Sequence, residues 1–192
     1  MKRATIVFVR HGQTDQNVAM QAGAAVHEDD VPLNQTGIQQ AQQVRDELAS
    51  YAFDAIISSP LMRARRTAEI INERQRLPII IDPELRERSV GGVAGDDWHA
   101  MFDMERNLPP KNPQHGGEDV KTFFTRVYDC IDRLITDYDG QTILVVAHGG
   151  VSHAFYAYAR QLPWRGNMRI SPMGNGEAKV YDMVMLDRTV VS

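Results

Sequence analysis

Four compact runs of β-branched and aliphatic residues constrain this chain most: "TIVFV" at 5–9, "DAIIS" at 54–58, "PIIID" at 78–82 and "QTILVVA" at 141–147. Helical patterns separate them, and such alternation predicts an α/β fold with a largely parallel sheet. Because the runs are apolar throughout, each is expected to be a strand buried on both faces. A fifth run, "KVYDMVML" at 179–186, alternates more and predicts a strand nearer the sheet edge. Between the first two runs, Ile38, Ala41, Val44 and Leu48 recur at helical spacing, with Thr36 and Gln39 as a capping box. Ser59 and Pro60 read as N-cap and first residue of a second helix, whose apolar face is Leu61, Ala64, Ala68 and Ile71. Val120, Phe123, Val127, Ile131 and Leu134 mark a long amphipathic helix that ends before Gly140. The 192 residues fit one domain, with 92–117, rich in Gly, Pro and polar residues, as a lid-like excursion.

Charge and cysteine usage exclude several classes of function. A formal charge of -4 argues against a nucleic-acid binder, which needs a basic face to displace counterions. Cys130 is the one cysteine, so neither an intrachain disulfide nor a zinc cluster of paired cysteines is available. Lys2 and Arg3 lead straight into a short strand pattern that lacks the apolar length of a signal peptide, and no run is long enough to span a membrane. These features predict a cytoplasmic protein with no membrane partner.

Two strand ends carry the chemistry. The first strand ends in "VRHGQT" and the fourth in "VAHGGV", so each delivers a His-Gly pair to its C-terminal end. Ligands of parallel sheets bind at that edge, where loops and helix N-termini converge. His11 and His148 are therefore expected to face one pocket, with Gly149 and Gly150 opening a helix whose positive end favours an anion. Arg10 adjoins His11, and Arg63, in the first turn of its helix, leans toward the same edge. Guanidinium groups at such a site read as binders of phosphate oxygens. A proton donor is expected from "ELRERSVGG" at 84–92; Glu87 is the candidate, and Glu84 remains open on physical grounds. Arg65 and Arg66 point elsewhere and read as surface charges. His153 faces another side of its helix than His148, so no two-histidine metal site is expected there. His27, His99 and His115 read as loop residues. Trp98, Met101 and Phe102 either line a lid or pack beneath it.

Taken in order, "RHGQTDQN" at 10–17, "SSPLMRARRTA" at 58–68, "LRERSVGG" at 85–92 and "AHGG" at 147–150 resemble the motifs of the histidine phosphatase, or phosphoglycerate mutase-like, superfamily. "DVPLN" at 30–34, "GIQQA" at 37–41 and "GGED" at 116–119 resemble further landmarks, so the likeness covers nearly the whole chain. The resemblance implies a three-layer α/β/α sandwich with a mixed, mostly parallel sheet, and no metal or organic cofactor. It implies His11 as a nucleophile that carries a transient phosphohistidine, Glu87 as proton donor, and Arg10, Arg63 and His148 as the phosphate pocket. Asn17 matches a further pocket residue, and Gln13, Thr14 and Gly149 within the motifs are candidate substrate contacts. Asn34, Ala94 and Asp119 depart from the family's usual Thr, Glu and Ser.

The resemblance implies a phosphatase, with a small phosphorylated metabolite as the expected substrate. A phosphoglycerate mutase-type phosphotransferase comes second, because the excursion is short and "ERSVGG" lacks the Tyr-Gly pattern of mutases. A noncatalytic phospho-ligand sensor comes third, since that role needs a broken nucleophile or acid and neither is broken.

Overall fold

A computed structural model describes residues 1–24, 30–89, 102–107 and 117–185. Strands β1 (Arg3–Arg10), β2 (Ala55–Ser58), β3 (Ile79–Ile81), β4 (Thr142–Ala147) and β5 (Ala178–Val184) form one sheet in the order β3-β2-β4-β1-β5. The first four run parallel and β5 pairs antiparallel with β1, so the sheet is mixed and mostly parallel. Helices α1 (Asp15–Gln21), α2 (Gln35–Glu47), α3 (Met62–Gln75), α4 (Val120–Asp137) and α5 (Gly149–Ala159), with a single 3-10 turn at Pro83–Leu85, complete the described elements.

The pleat sorts each strand's residues between two helical layers. Ile6 and Phe8 of β1 and Ile143, Val145 and Ala147 of β4 pack with α4 and α5. Val7, Val9, Leu144 and Val146 face the other way, onto α2 and α3. The central strands are thus covered on both faces, as their apolar runs predict, and each fully buried Ile, Val or Phe contributes about 1.5–3 kcal/mol. Phe123, Val127, Ile131 and Leu134 of α4 are all buried, as the helical spacing predicts. The fifth run is an edge strand, alternating buried Tyr181 and Met183 with exposed Asp182 and Val184.

Three expectations are corrected. β3 is not buried on both faces: it is a three-residue edge strand whose Ile80 and Ile81 are 46% and 44% exposed, while Ile79 packs inward. Helix α2 starts before Thr36, because Asn34 caps it by accepting the Gly37 N–H at 2.9 Å, and Asn is an N-cap at least as good as Thr. Helix α3 starts at Met62, after Ser59 and Pro60. Ser59 Oγ receives only the Leu61 N–H at 3.3 Å, and the cap is supplied from a distance by Asp30, whose Oδ1 accepts the Met62 N–H at 2.8 Å.

Of the 92–117 excursion, only 102–107 and Gly117 are described; Trp98, Met101, Ala94, His99 and His115 lie outside the described residues, as does His27. Phe102 belongs to the core. It is buried edge-on against Phe123 and His153, and its carbonyl accepts the Met168 N–H at 2.8 Å.

Candidate active site

Parallel register sets Arg10 beside Ala147, so the next residues of β1 and β4, His11 and His148, emerge together at the C-terminal edge of the sheet. Their rings lie 5.1 Å apart between centroids, and both side chains are buried. His11 Nδ1 stands 2.7 Å from the Gly12 carbonyl. A carbonyl can only accept, so Nδ1 carries the proton and Nε2 keeps its lone pair. Burial, and then the Arg63 and Arg10 guanidinium groups, hold His11 well below the ordinary imidazole range, which keeps it neutral at pH 7. Burial first, with Arg63, His11, Arg10 and Arg126 adding to it, does the same to His148.

The surrounding cations are fixed by the fold. Arg10 Nη1 donates to the Met173 carbonyl at 2.5 Å, while its Nε is buried without a hydrogen-bond partner. Arg63, in the first turn of α3, has Nη1 3.9 Å from Asp30 and no hydrogen bond on that buried nitrogen. His148 Nε2 meets Ser59 Oγ at 2.7 Å, and its Nδ1 is buried without a partner. An unmet buried polar group costs about 1–3 kcal/mol. Two guanidinium groups and an imidazole left so, beside the N-terminus of α5, form a receptor for an anion.

Glu87 completes the cluster. Its Oε2 accepts the Gly150 N–H at 2.9 Å, its Oε1 accepts the Arg88 N–H at 3.0 Å, and its charge is felt by both Arg10 and Arg63. Glu84 belongs elsewhere: it lies in the turn Pro83–Leu85, capped by Asp82, and its charge acts on Cys130. Close approach at this edge requires glycine. A Cβ on Gly150 would sit 2.1 Å from Glu87 Oε1, and one on Gly12 would sit 2.3 Å from the Gly37 carbonyl oxygen.

The remaining expected site residues divide. Gly149 opens α5 beside the Arg10 guanidinium, which is 3.3 Å from the position of an added Cβ. Thr14 and Asn17 form a capping box for α1, each side chain accepting the other's backbone N–H. Asn17 Oδ1 also accepts from Asn175 Nδ2 at 3.0 Å, and that amide reaches the His11 carbonyl at 3.1 Å, so Asn17 adjoins the cluster. The Gln13 side chain is turned to Asn34, 3.1 Å away, and is not brought to the imidazoles by that contact.

Sequence reasoning missed four contributors. Local sequence makes Ser59 a cap, whereas its hydroxyl orients His148. Thr67 accepts the Gly12 N–H at 3.1 Å and donates to the Arg63 carbonyl at 2.8 Å, tying the end of β1 to the first turn of α3. Helical spacing from Arg63 could have flagged it, being one turn on. Met173, through its carbonyl, and Asn175 sit in a turn with no recognisable motif.

Fold and cluster together define an α/β protein with two histidines and two arginines gathered at the C-terminal edge of a mostly parallel sheet. The chain belongs to the histidine phosphatase superfamily (branch 1), whose family model matches residues 6–184. It is 33% identical over 149 residues to the uncharacterized phosphatase PhoE of Bacillus subtilis (strain 168), a match covering 78% of this chain and 74% of that one. It is 31% identical over 176 residues to a metal-independent phosphoserine phosphatase of Arabidopsis thaliana, covering 85% of this chain and 71% of that one. Among solved structures, a mycobacterial glucosyl-3-phosphoglycerate phosphatase superposes with a TM-score of 0.72 at 29% identity, covering 93% of this chain and 90% of that one. Among the described residues no helix is long and apolar enough to cross a membrane.

Proposed function

We propose that the chain is a metal-independent phosphatase that hydrolyses a phosphate monoester of a small metabolite through a phosphohistidine on His11. The observation that carries this reading is His11 Nδ1 held 2.7 Å from the Gly12 carbonyl, which leaves Nε2 free, beside unpartnered nitrogens of Arg10, Arg63 and His148. These three hold the equatorial oxygens of the phosphoryl group, where negative charge is concentrated. The His11 Nε2 lone pair forms the N–P bond as the ester P–O bond breaks, and the Glu87 carboxylate, having first taken the proton of the monoanionic ester, passes it to the departing oxygen. Water then attacks phosphorus and gives its proton to the Glu87 carboxylate. The N–P bond breaks, its electrons return to Nε2, and inorganic phosphate leaves.

The charge-neutralising role of a metal falls here to Arg10, Arg63 and the α5 N-terminus. A relative from Arabidopsis thaliana is named metal-independent, which supports this reading. The family match over 6–184 and the single, buried Cys130 support one domain at work in the cytoplasm.

Hydrolysis of a generic aryl phosphate should therefore survive excess chelator unchanged, with inorganic phosphate released in equal amount to the phenol. Loss of turnover in chelator would overturn metal independence. Return of the phosphoryl group to a second hydroxyl, in place of release, would identify a mutase.

Gly150→Ala supplies a second test. The added Cβ collides with the far end of a flexible side chain, so the fold should persist while Glu87 is pushed aside. Turnover of an alkyl phosphate is expected to fall about 100-fold, within the range for a misplaced acid, with the melting temperature almost unchanged. Wild-type turnover in this variant would remove Glu87 from the mechanism.

A further inference from the structure

Glu87 follows a single turn, Pro83–Leu85, and its own segment forms no strand or helix that would fix its direction. From α4, the Arg126 side chain reaches into this segment. Arg126 Nη1 donates to the Glu84 carbonyl, and Nη1 and Nη2 both lie 3.4 Å from the carbonyl of Arg86, the residue directly before Glu87. The guanidinium is itself held by Glu118, through Nε to Oε2 at 3.2 Å and Nη2 to Oε1 at 2.5 Å. Glu118 grips the other flank of the segment: its N–H donates to the Ser89 carbonyl at 2.9 Å, and its carbonyl accepts from Arg88 Nε at 3.1 Å. Backbone or side-chain contacts at residues 84, 86, 88 and 89 thus bracket Glu87 on both sides.

This is not the arrangement of an ordinary surface ion pair. Both side chains are mostly buried, at 19% and 16% exposure, and the guanidinium lies over the Phe123 ring, 5.1 Å from its centroid. The planar fork serves a carboxylate in two places and two carbonyls with its remaining donors, a geometry that lysine cannot reproduce. Fixing the Arg86 carbonyl fixes the peptide that enters Glu87. The carboxylate is then placed so that the Gly150 N–H reaches it.

We infer that Arg126, held by Glu118, is a positioning residue for proton transfer by Glu87. It aims the acid at the leaving-group oxygen while taking no part in binding the phosphoryl group. The inference rests on the reading of Glu87 as the general acid. Its consequence is specific: loss of the clamp should hurt esters that need a proton on departure and spare those that do not.

The test is the single-turnover rate of His11 phosphorylation from aryl phosphates graded from acidic nitrophenols to phenol itself. Arg126→Gln should slow the phenyl ester on the order of 10- to 100-fold and the most activated nitrophenyl ester by less than about threefold. Glu87→Gln should show the same pattern more strongly, and the double variant should be no slower than Glu87→Gln alone. Arg126→Lys should recover only part of the phenyl ester rate. If Arg126→Gln does not fold, Glu118→Gln gives the same test, keeping a neutral acceptor on the clamp and predicting a smaller loss of the same shape. Equal slowing of every ester by the clamp variants, or multiplying losses in the double variant, would overturn the positioning role. Should Glu87→Gln be equally slow on all esters, the acid assignment itself fails and the inference with it. A graded Glu87→Gln response beside a uniform Arg126→Gln response overturns the clamp alone.

Discussion

Replacement of His11 by alanine is expected to lower phosphate-ester turnover by at least about a thousandfold and to abolish an acid-labile phosphoenzyme. The size follows from what the change leaves behind. Arg10, Arg63 and His148 keep their anchors to Met173, α3 and Ser59, so the anion receptor survives and inorganic phosphate should still bind. The lone pair on Nε2 is lost, and the neighbouring groups are not free to replace it: the arginines are cationic, His148 Nε2 is engaged by Ser59, and the Glu87 carboxylate accepts the Gly150 and Arg88 N–H groups. The alanine leaves the Gly12 carbonyl without its imidazole partner, which costs about 1–3 kcal/mol of stability, so a melting curve must accompany the kinetics. Rapid-quench labelling with radioactive aryl phosphate reads the outcome directly. A phosphoenzyme that persists in the variant would move the nucleophile to another residue, and turnover within tenfold of wild type would remove covalent catalysis altogether.

The sequence announces most of this site because its chemistry sits at the ends of regular elements. A His-Gly pair closing an apolar run is visible without coordinates, and two such runs in a parallel sheet must end at the same edge. Arg63 is legible for the same reason, being placed by a helix start. Ser59, Thr67 and Asn175 are not, since their roles depend on which backbone groups meet across the fold. Ser59 shows the difficulty: local chemistry makes it a helix cap, whereas its contact to His148 crosses 89 residues and cannot be read from spacing. The error at β3 has a similar cause. Three consecutive isoleucines look like a central strand, but burial depends on neighbours, and β3 pairs only with β2. In α4, by contrast, helical spacing and burial report the same face, so its apolar residues are placed correctly.

Acidification below about pH 6.5 is expected to destabilise the protein. His153 is held neutral by burial above all, then by Arg169, Arg10 and Lys179, which push it down to about 4; its Nδ1 accepts the Ser171 N–H at 3.1 Å. In the unfolded chain the same imidazole titrates near about 6.5. Below that value the unfolded state binds a proton that the folded state refuses until about pH 4, so the stabilisation is complete above about 6.5 and is lost as the pH falls through this window. Between pH 6.5 and pH 5 the loss from His153 alone is about 2 kcal/mol, or roughly 4–8 °C in melting temperature for a chain of this size. His11 and His148 are depressed in the same direction by burial and the nearby arginines, and they steepen the fall. Calorimetry at pH 7.5, 6 and 5 should show it, with His153→Gln, whose amide can still accept the Ser171 N–H, giving a shallower dependence. A melting temperature that is flat over this range would mean the imidazoles are protonated in the folded state. It would also undercut His11 as a nucleophile, because the burial that makes the fold acid-labile is what leaves the Nε2 lone pair available at neutral pH.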